Sequence, residues 1–314
     1  MKLQKLNSEV AVIPAEETKQ RDLIGEFVFN KYPNELTQKA IVADLKQFSL
    51  WLQEKFAKSI FEVKSFELGL YRKNLIDSNY ATGSVNRKLS SLKAFYRYLH
   101  EVGFNEVNEA LYLNLLKNRS KIGSTPAFNQ KQLVKLFDSF DEEKLNDLRD
   151  KVIIGIAFFC AARVSAILNL KVDDVLQEAS GLKLKLVEKG SKVRYLHCNS
   201  EILAPTLLKY LKTVDFKDGY LFRGFRVNKG FTEKKLDRQS CHSMIKRRTK
   251  NLNLPKKFSM HSFRAAFATS WLEKNYSIDS LQKIGGWENL DTVKRYDRNK
   301  QEASVSEMEM MKIS

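Results

Sequence analysis

The stretch His261-Ser262-Phe263-Arg264, with Gly285-Gly286-Trp287 and then Tyr296 behind it, carries the most specific reading in this chain of 314 residues. His261 and Arg264 are three positions apart, which sets an imidazole and a guanidinium on one face of a helix. Helical patterns continue over 261–274, 278–285 and 289–296. Upstream, Val152 to Ala162 is the longest apolar run. It is too short to span a bilayer and reads as a buried helix. Arg163 ends that helix, and Ser165 is placed to cap the next, within Ala162-Arg163-Val164-Ser165-Ala166-Ile167-Leu168-Asn169-Leu170. Between the two patches the period changes. Leu182, Leu184 and Leu186 alternate with Lys183, Lys185 and Val187. Glu188-Lys189-Gly190-Ser191 follows, and Lys192 to Cys198 contains β-prone Val193 and Tyr195. This is a β-hairpin with a basic tip.

Ahead of these patches the pattern is helical throughout. Ile41, Leu45, Phe48, Leu52 and Phe56 form one apolar face between Leu36 and Phe56. Val85, Leu89, Leu92, Phe95, Tyr96 and Leu99 form another between Ser84, a candidate N-cap, and Val102, with Gly103 as the C′ residue. Weaker helical patterns lie near 22–31, 65–77 and 106–117. Residues 118–127 break the pattern with Gly123, Pro126 and three hydroxyl residues. The expected organisation is a polar tail over 1–20, a helical bundle over 21–117, a linker over 118–127, and a second domain over 128–314. That second domain opens with a helix over Asn129 to Phe140 and holds one small antiparallel sheet. The fold class is mainly α, with an α+β second domain.

Composition narrows the function. Hydrophobic residues make up 43% of the chain, enough for packed cores and too many for a disordered chain. Lys and Arg number 54 against 37 Asp and Glu, a net charge of +17, which points to a polyanionic partner, nucleic acid before membrane. Three cysteines without metal-like spacing argue against a disulfide framework and for a reducing cytoplasm. Met1 to Gln20 contains no apolar signal-peptide core. No metal cluster or phosphate-cradling glycine loop is evident, so no cofactor and no metal are expected.

Taken in order and spacing, Arg163, the hairpin tip, His261 with Arg264, Gly286-Trp287 and Tyr296 resemble the tyrosine recombinase, or phage integrase, family, which includes the Cre and Xer recombinases. The His-x-x-Arg box is met by His261 and Arg264, and the late Gly-His/Trp step by Gly286-Trp287. The tryptophan and its distance from Tyr296 look most like Cre. The resemblance covers the second domain and, more loosely, the first, which looks like the family's core-binding helical bundle. It implies a site-specific DNA recombinase that clamps duplex DNA. Such an enzyme cleaves one strand per active site through a 3′-phosphotyrosine, and proceeds through a Holliday junction. It binds inverted-repeat arms as a dimer on one site and a tetramer on two. The alternatives are a telomere resolvase or type IB topoisomerase, and a non-catalytic DNA-binding protein descended from a recombinase. The setting is cytoplasmic, on the nucleoid, with no membrane role.

The chemistry follows from residue types. Metal-free phosphodiester cleavage needs a nucleophile, positive charge for the phosphorane and an acid for the leaving oxygen. Tyr296 supplies the phenolate. Arg163 and Arg264 can fork onto nonbridging oxygens. The resemblance makes a hairpin lysine the acid, Lys189 before Lys192. His261 exchanges protons or hydrogen-bonds the phosphate, and Trp287 donates its indole N–H and buttresses the tyrosine helix. Arg87, Lys88, Lys93 and Arg97 on the 84–102 helix are expected to enter the major groove. Lys192 and the cluster Lys246, Arg247, Arg248 and Lys250 are expected to meet DNA, mostly at phosphates. One residue departs from the family. Glu or Asp usually stands three positions after the first arginine, and here it is Ala166. Asp173 and Asp174 lie nearby in sequence, and an active enzyme is expected to have compensated elsewhere. The tail Gln301 to Ser314, with Val305, Met308, Met310 and Met311, is expected to dock on a neighbouring subunit.

Overall fold

Asn34 begins the first long helix by accepting the N–H groups of Leu36 and Thr37 on its side chain. In the computed structural model, which describes residues 18–117, 125–179, 181–188, 190 and 192–297, that helix is α2 (Glu35–Phe56). It packs with α1 (Thr18–Lys31), α3 (Ser65–Asp77) and α4 (Thr82–Glu101). Together they belong to the first of two compact units, Met1–Arg119 and Ser120–Ser314. Ile41, Leu45, Phe48 and Leu52 of α2 and the six apolar residues of α4 are buried in one core, as their spacing predicts. α4 starts at Thr82, two residues before the expected cap. It ends as read, with Gly103 at φ +72°, its N–H on the His100 carbonyl and the Phe104 N–H on that of Leu99.

Residues 106–117 depart from expectation, forming turns and extended backbone. Side chains compete for the backbone there. Asn108 accepts the Ala110 N–H, and the Glu109 carboxylate is spent on the N–H and hydroxyl of Ser65.

The same unit buries a carboxylate. Asp44 of α2 is 2% exposed and takes Arg87 at 2.5 Å, Ser91 at 2.8 Å and Lys88 at 3.4 Å, all from α4. Lys88 also lies 5.5 Å from the Tyr80 ring. Asp44→Ala would leave the buried Lys88 without its anionic partner. We expect it to destabilise the unit by roughly 3–5 kcal/mol in denaturant unfolding, and an unchanged midpoint would show that the pair contributes nothing.

The second unit is built on α6 (Leu145–Phe159), buried along most of its length, with α5 (Gln130–Phe137) capped ahead of it by Asn129. The expected hairpin is present as β2 (Gly181–Val187) and β3 (Val193–His197), and β1 (Val175–Glu178) adds a third antiparallel strand. After α8 (Leu203–Val214) comes a second sheet, β4 (Arg223–Arg226) with β5 (Gly230–Lys235), where the expectation is one small sheet in this domain. Arginine, lysine and glycine dominate that hairpin and mask its period. Its aromatic pairing of Phe225 on Phe231 at 5.2 Å and the left-handed turn residue Asn228 explain it in retrospect.

Helices α9 (Arg238–Asn251), α10 (Met260–Glu273), α11 (Ile278–Gly285) and α12 (Leu290–Lys294) complete the unit. The short α7 (Val164–Asn169) opens at Arg163 with no side-chain cap, and Ser165 lies inside it rather than capping it. α12 stops at Lys294, so Tyr296 sits on the turn beyond the helix, its N–H on the Val293 carbonyl. Apart from Thr18, Lys19, Gln20 and residues 125–127, the expected tail over 1–20 and linker over 118–127 fall outside the described residues, as do Lys189 and the tail from 301 onward.

Candidate active site

Among the described residues Arg264 is the largest side chain that is almost completely buried, 1% exposed. It projects from the second turn of α10. One Nη donates to the Ala161 carbonyl, and the guanidinium carbon lies 3.7 Å from the Trp287 ring centroid. Its Nε and Nη2 are buried without a hydrogen-bond partner. Two orphaned donors on a buried guanidinium are costly and mark a place shaped for an anion. Burial first, then the neighbouring Arg163, pushes the Arg264 pKa down to about 9. Ala161 contributes by strain. It follows the last turn of α6 at φ 45°, a left-handed conformation worth roughly 1 kcal/mol or more for a residue with a Cβ, and its carbonyl meets Arg264.

Arg163 donates to the Gly286 carbonyl at 3.1 Å and to Glu188 Oε2 at 2.7 Å. The other carboxylate oxygen of Glu188 takes Arg194 at 2.8 Å. Glu188 therefore bridges two guanidiniums while almost fully buried. The carboxylate beside Arg163 thus comes from the end of β2, not from Asp173 or Asp174. Asp174 accepts the backbone N–H of Lys171 instead.

Neither Glu188 nor Arg194 was singled out from sequence. The signal was present in the hairpin alternation. Arg194 pairs in register with Leu186, on the face that Leu182, Leu184 and Leu186 bury, and a charged residue on a buried strand face needs a partner.

Tyr296, 8% exposed, places its hydroxyl 3.3 Å from His261 Nε2. Its ring lies 5.5 Å from that of Trp287, tilted by 58°. Both rings share a small core with Ala161, Ala265, Ala268, Leu281 and Val293. Gly285 makes room for this arrangement, because a Cβ there would come within 1.6 Å of the Trp287 ring. The structure thus brings Arg163, His261, Arg264, Trp287 and Tyr296 together. Lys192 stands at the surface, paired with Glu288 at 2.9 Å.

The expected DNA contacts divide. Arg87 is half-exposed beside Asp44, Lys93 donates to the Leu111 and Leu113 carbonyls, and Arg97 is exposed near Glu101. Lys88 is turned inward instead, with Asp44 and Gln47. On α9, Arg247 and Lys250 are exposed, and Lys246 donates to the Lys256 carbonyl. Arg248 is also turned inward, onto Asp147 at 2.7 Å and over the Phe140 ring at 4.2 Å. A dense basic run on a helix necessarily places some members on the packed face.

Residues 126–303 match the Phage integrase family, and residues 33–103 match the Phage integrase N-terminal SAM-like domain. The chain belongs to the phage integrase family, and with it to the enzymes that break and rejoin DNA in site-specific recombination. It is similar to the tyrosine recombinase XerC of Leptospira interrogans, with 27% identity over 283 residues covering 88% of this chain and 87% of that one. It is similar also to a tyrosine recombinase of Pseudothermotoga lettingae, 28% identical over 262 residues, 82% of this chain and 85% of the other. In fold it resembles the XerH site-specific recombinase bound to a palindromic difH substrate in a post-cleavage complex. That likeness has a TM-score of 0.67 at 18% identity and covers 98% of this chain and 95% of that one.

Burial and the charges of Arg264, Arg163 and Arg238 hold the His261 imidazole below its ordinary pKa of 6.5. The ring is therefore neutral at pH 7 and able to accept a proton. The unfolded chain binds that proton near pH 6.5 and the folded chain does not, so this residue makes stability fall as pH drops through 6.5. An NMR titration of the anion-free protein should place the His261 midpoint below 6.5, and addition of inorganic sulfate should raise it. A midpoint at or above 6.5 without anion would contradict the electrostatics of the site.

Proposed function

We propose that Tyr296 is the nucleophile with which this recombinase opens one strand of duplex DNA. The observation that carries the assignment is the Tyr296 hydroxyl, 3.3 Å from the His261 nitrogen beside a buried guanidinium with two unpartnered donors. The scissile phosphate sits between Arg163 and Arg264, which neutralise its nonbridging oxygens. The phenol oxygen attacks phosphorus, and its proton passes to His261. The bond from phosphorus to the 5′-oxygen breaks, and that oxygen takes a proton from Lys189. The product is a 3′-phosphotyrosine and a free 5′-hydroxyl, which keeps the bond energy for rejoining. Lys192, committed to Glu288 on the surface, is left to contact DNA.

The protein would bind inverted-repeat arms as a dimer, pair two sites as a tetramer and exchange strands through a Holliday junction, acting on the nucleoid in the cytoplasm. Among the described residues no helix is long and apolar enough to cross a membrane. The Glu188 carboxylate on Arg163 supports the catalytic reading despite Ala166.

Tyr296→Phe tests the assignment on a nicked suicide substrate. We expect the covalent adduct to vanish while DNA affinity is kept, since the hydroxyl makes no groove contact. An adduct that persists in the variant refutes it.

The same substrate separates the two kinds of basic residue on α9. Replacing Arg247 and Lys250 with alanine should flatten the log–log salt dependence of binding by up to about two units, at roughly −0.9 per phosphate contact. Arg248→Ala should instead lower the unfolding midpoint, because it strands the mostly buried Asp147. An unchanged slope in the first variant would place the DNA elsewhere.

A further inference from the structure

Glu188 occupies an unusual place. Its backbone N–H donates to the Lys192 carbonyl at 2.8 Å and so closes the base of the β2–β3 turn. Lys189 is the next residue in sequence. The Glu188 side chain is 6% exposed and uses both carboxylate oxygens, one on Arg163 and one on Arg194. Arg194 is itself mostly buried, with its Nη1 near the Cys160 carbonyl at 3.5 Å and its Nε against Gly286 without a partner. Gly286 in turn offers its carbonyl to Arg163. One carboxylate thus ties together the end of α6, the start of α7, the hairpin base and the loop before Trp287.

We propose that Glu188 is a positioning residue for strand cleavage, holding the Arg163 guanidinium in its working pose and fixing the base of the β2–β3 turn. The inference rests on the reading above, in which Arg163 holds the scissile phosphate.

The reasoning is electrostatic and geometric. Arg163, Arg194 and Arg264 crowd positive charge at one place, and a long side chain between like charges swings away unless an anion holds it. The family's usual glutamate would stand at position 166, in the first turn of α7. Ala166 is instead packed into the main core. Glu188 reaches the same guanidinium from the sheet. A carboxylate hung from the hairpin does more than one hung from α7, because it also couples the arginine to the turn.

The test uses the full chain, single-turnover cleavage of the nicked suicide substrate at saturating protein, and parallel measurements of DNA affinity and thermal unfolding. Glu188→Gln keeps the shape and removes the charge. We expect cleavage to slow by about 10²-fold, the order of a misplaced electrostatic donor, with DNA affinity essentially kept. Glu188→Asp should recover much of the rate. Ala166→Glu should act with opposite signs in two backgrounds. In the wild type it slows cleavage, because its guanidinium is already taken and a second carboxylate is buried unpaired. Beside Glu188→Gln it restores cleavage, because it supplies the missing anion from α7.

Wild-type rates in Glu188→Gln would overturn the proposal. So would a cleavage loss that tracks lost DNA affinity or lost folding, or an Ala166→Glu that fails to rescue a folded Glu188→Gln protein. Failure of the nucleophile assignment is distinguishable, since it would appear as no Tyr296-dependent adduct in the wild type.

Discussion

Guanidinium groups are easy to place on a protein surface and hard to place inside one, and the second unit is organised around that difficulty. Arg264 is buried to within 1% of its surface, and Arg194 is mostly buried. Desolvation disfavours their charge, and each neighbour of the same sign disfavours it further. The fold offsets this with dipoles, a ring face and a single carboxylate. The Ala161 and Gly286 carbonyls accept from Arg264 and Arg163, the Trp287 ring covers the Arg264 plane, and Glu188 is shared by Arg163 and Arg194. The compensation stays incomplete at Arg264, where two donors have no partner. That deficit is where a phosphate has most to contribute, and a preorganised deficit is what transition-state stabilisation requires.

Several local features make sense only in support of this arrangement. Ala161 holds a left-handed conformation that would be cheaper for glycine, and it does so where its carbonyl meets Arg264. Gly286 also has positive φ, at 62°, as the cap of α11, which turns the chain so that Trp287 stacks back over Arg264. Gly285 has no room for even one added carbon against the Trp287 ring. Three consecutive residues thus place an aromatic face, a carbonyl and a turn. Tyr296, beyond the end of α12, is held by its ring in the same small core as Trp287, so Tyr296 and the Arg264 guanidinium share Trp287 as a packing partner.

How much of this was legible in the sequence depends on which forces decide each element. Strongly periodic helices were legible because burial of a stripe dictates them, as in α2 and α4. The β2–β3 hairpin was legible from its strict alternation. The β4–β5 hairpin was not, because its charged and glycine residues leave only Phe225 and Phe231 as pattern. Residues 106–117 were misread because Asn108 caps a local turn and Glu109 is drawn to Ser65, 44 residues away, neither of which periodicity registers. In the site, Arg163, His261, Arg264, Trp287 and Tyr296, singled out by their spacing, lie together in the structure. Lys88 and Arg248 were misjudged as exposed, since a basic run identifies a helix but not which of its faces is packed against Asp44 or Asp147.

Glu188 was missed for a deeper reason. Spacing along a chain identifies partners only when both sit on one element, as His261 and Arg264 do. Arg163 and Glu188 are 25 residues apart and meet because β2 returns beside the start of α7. Electrostatic compensation is indifferent to that path. What a guanidinium such as Arg163 gains from in a weakly screened site is an anion within about 3 Å, whichever element carries it. A charge lost at one position can therefore be replaced from any backbone segment that passes close enough. The strand end beside Arg163 is such a segment, and in this chain the residue that stands there is a glutamate. The local field, rather than the motif, then decides, and with an alanine at position 166 Arg163 still has a carboxylate beside it.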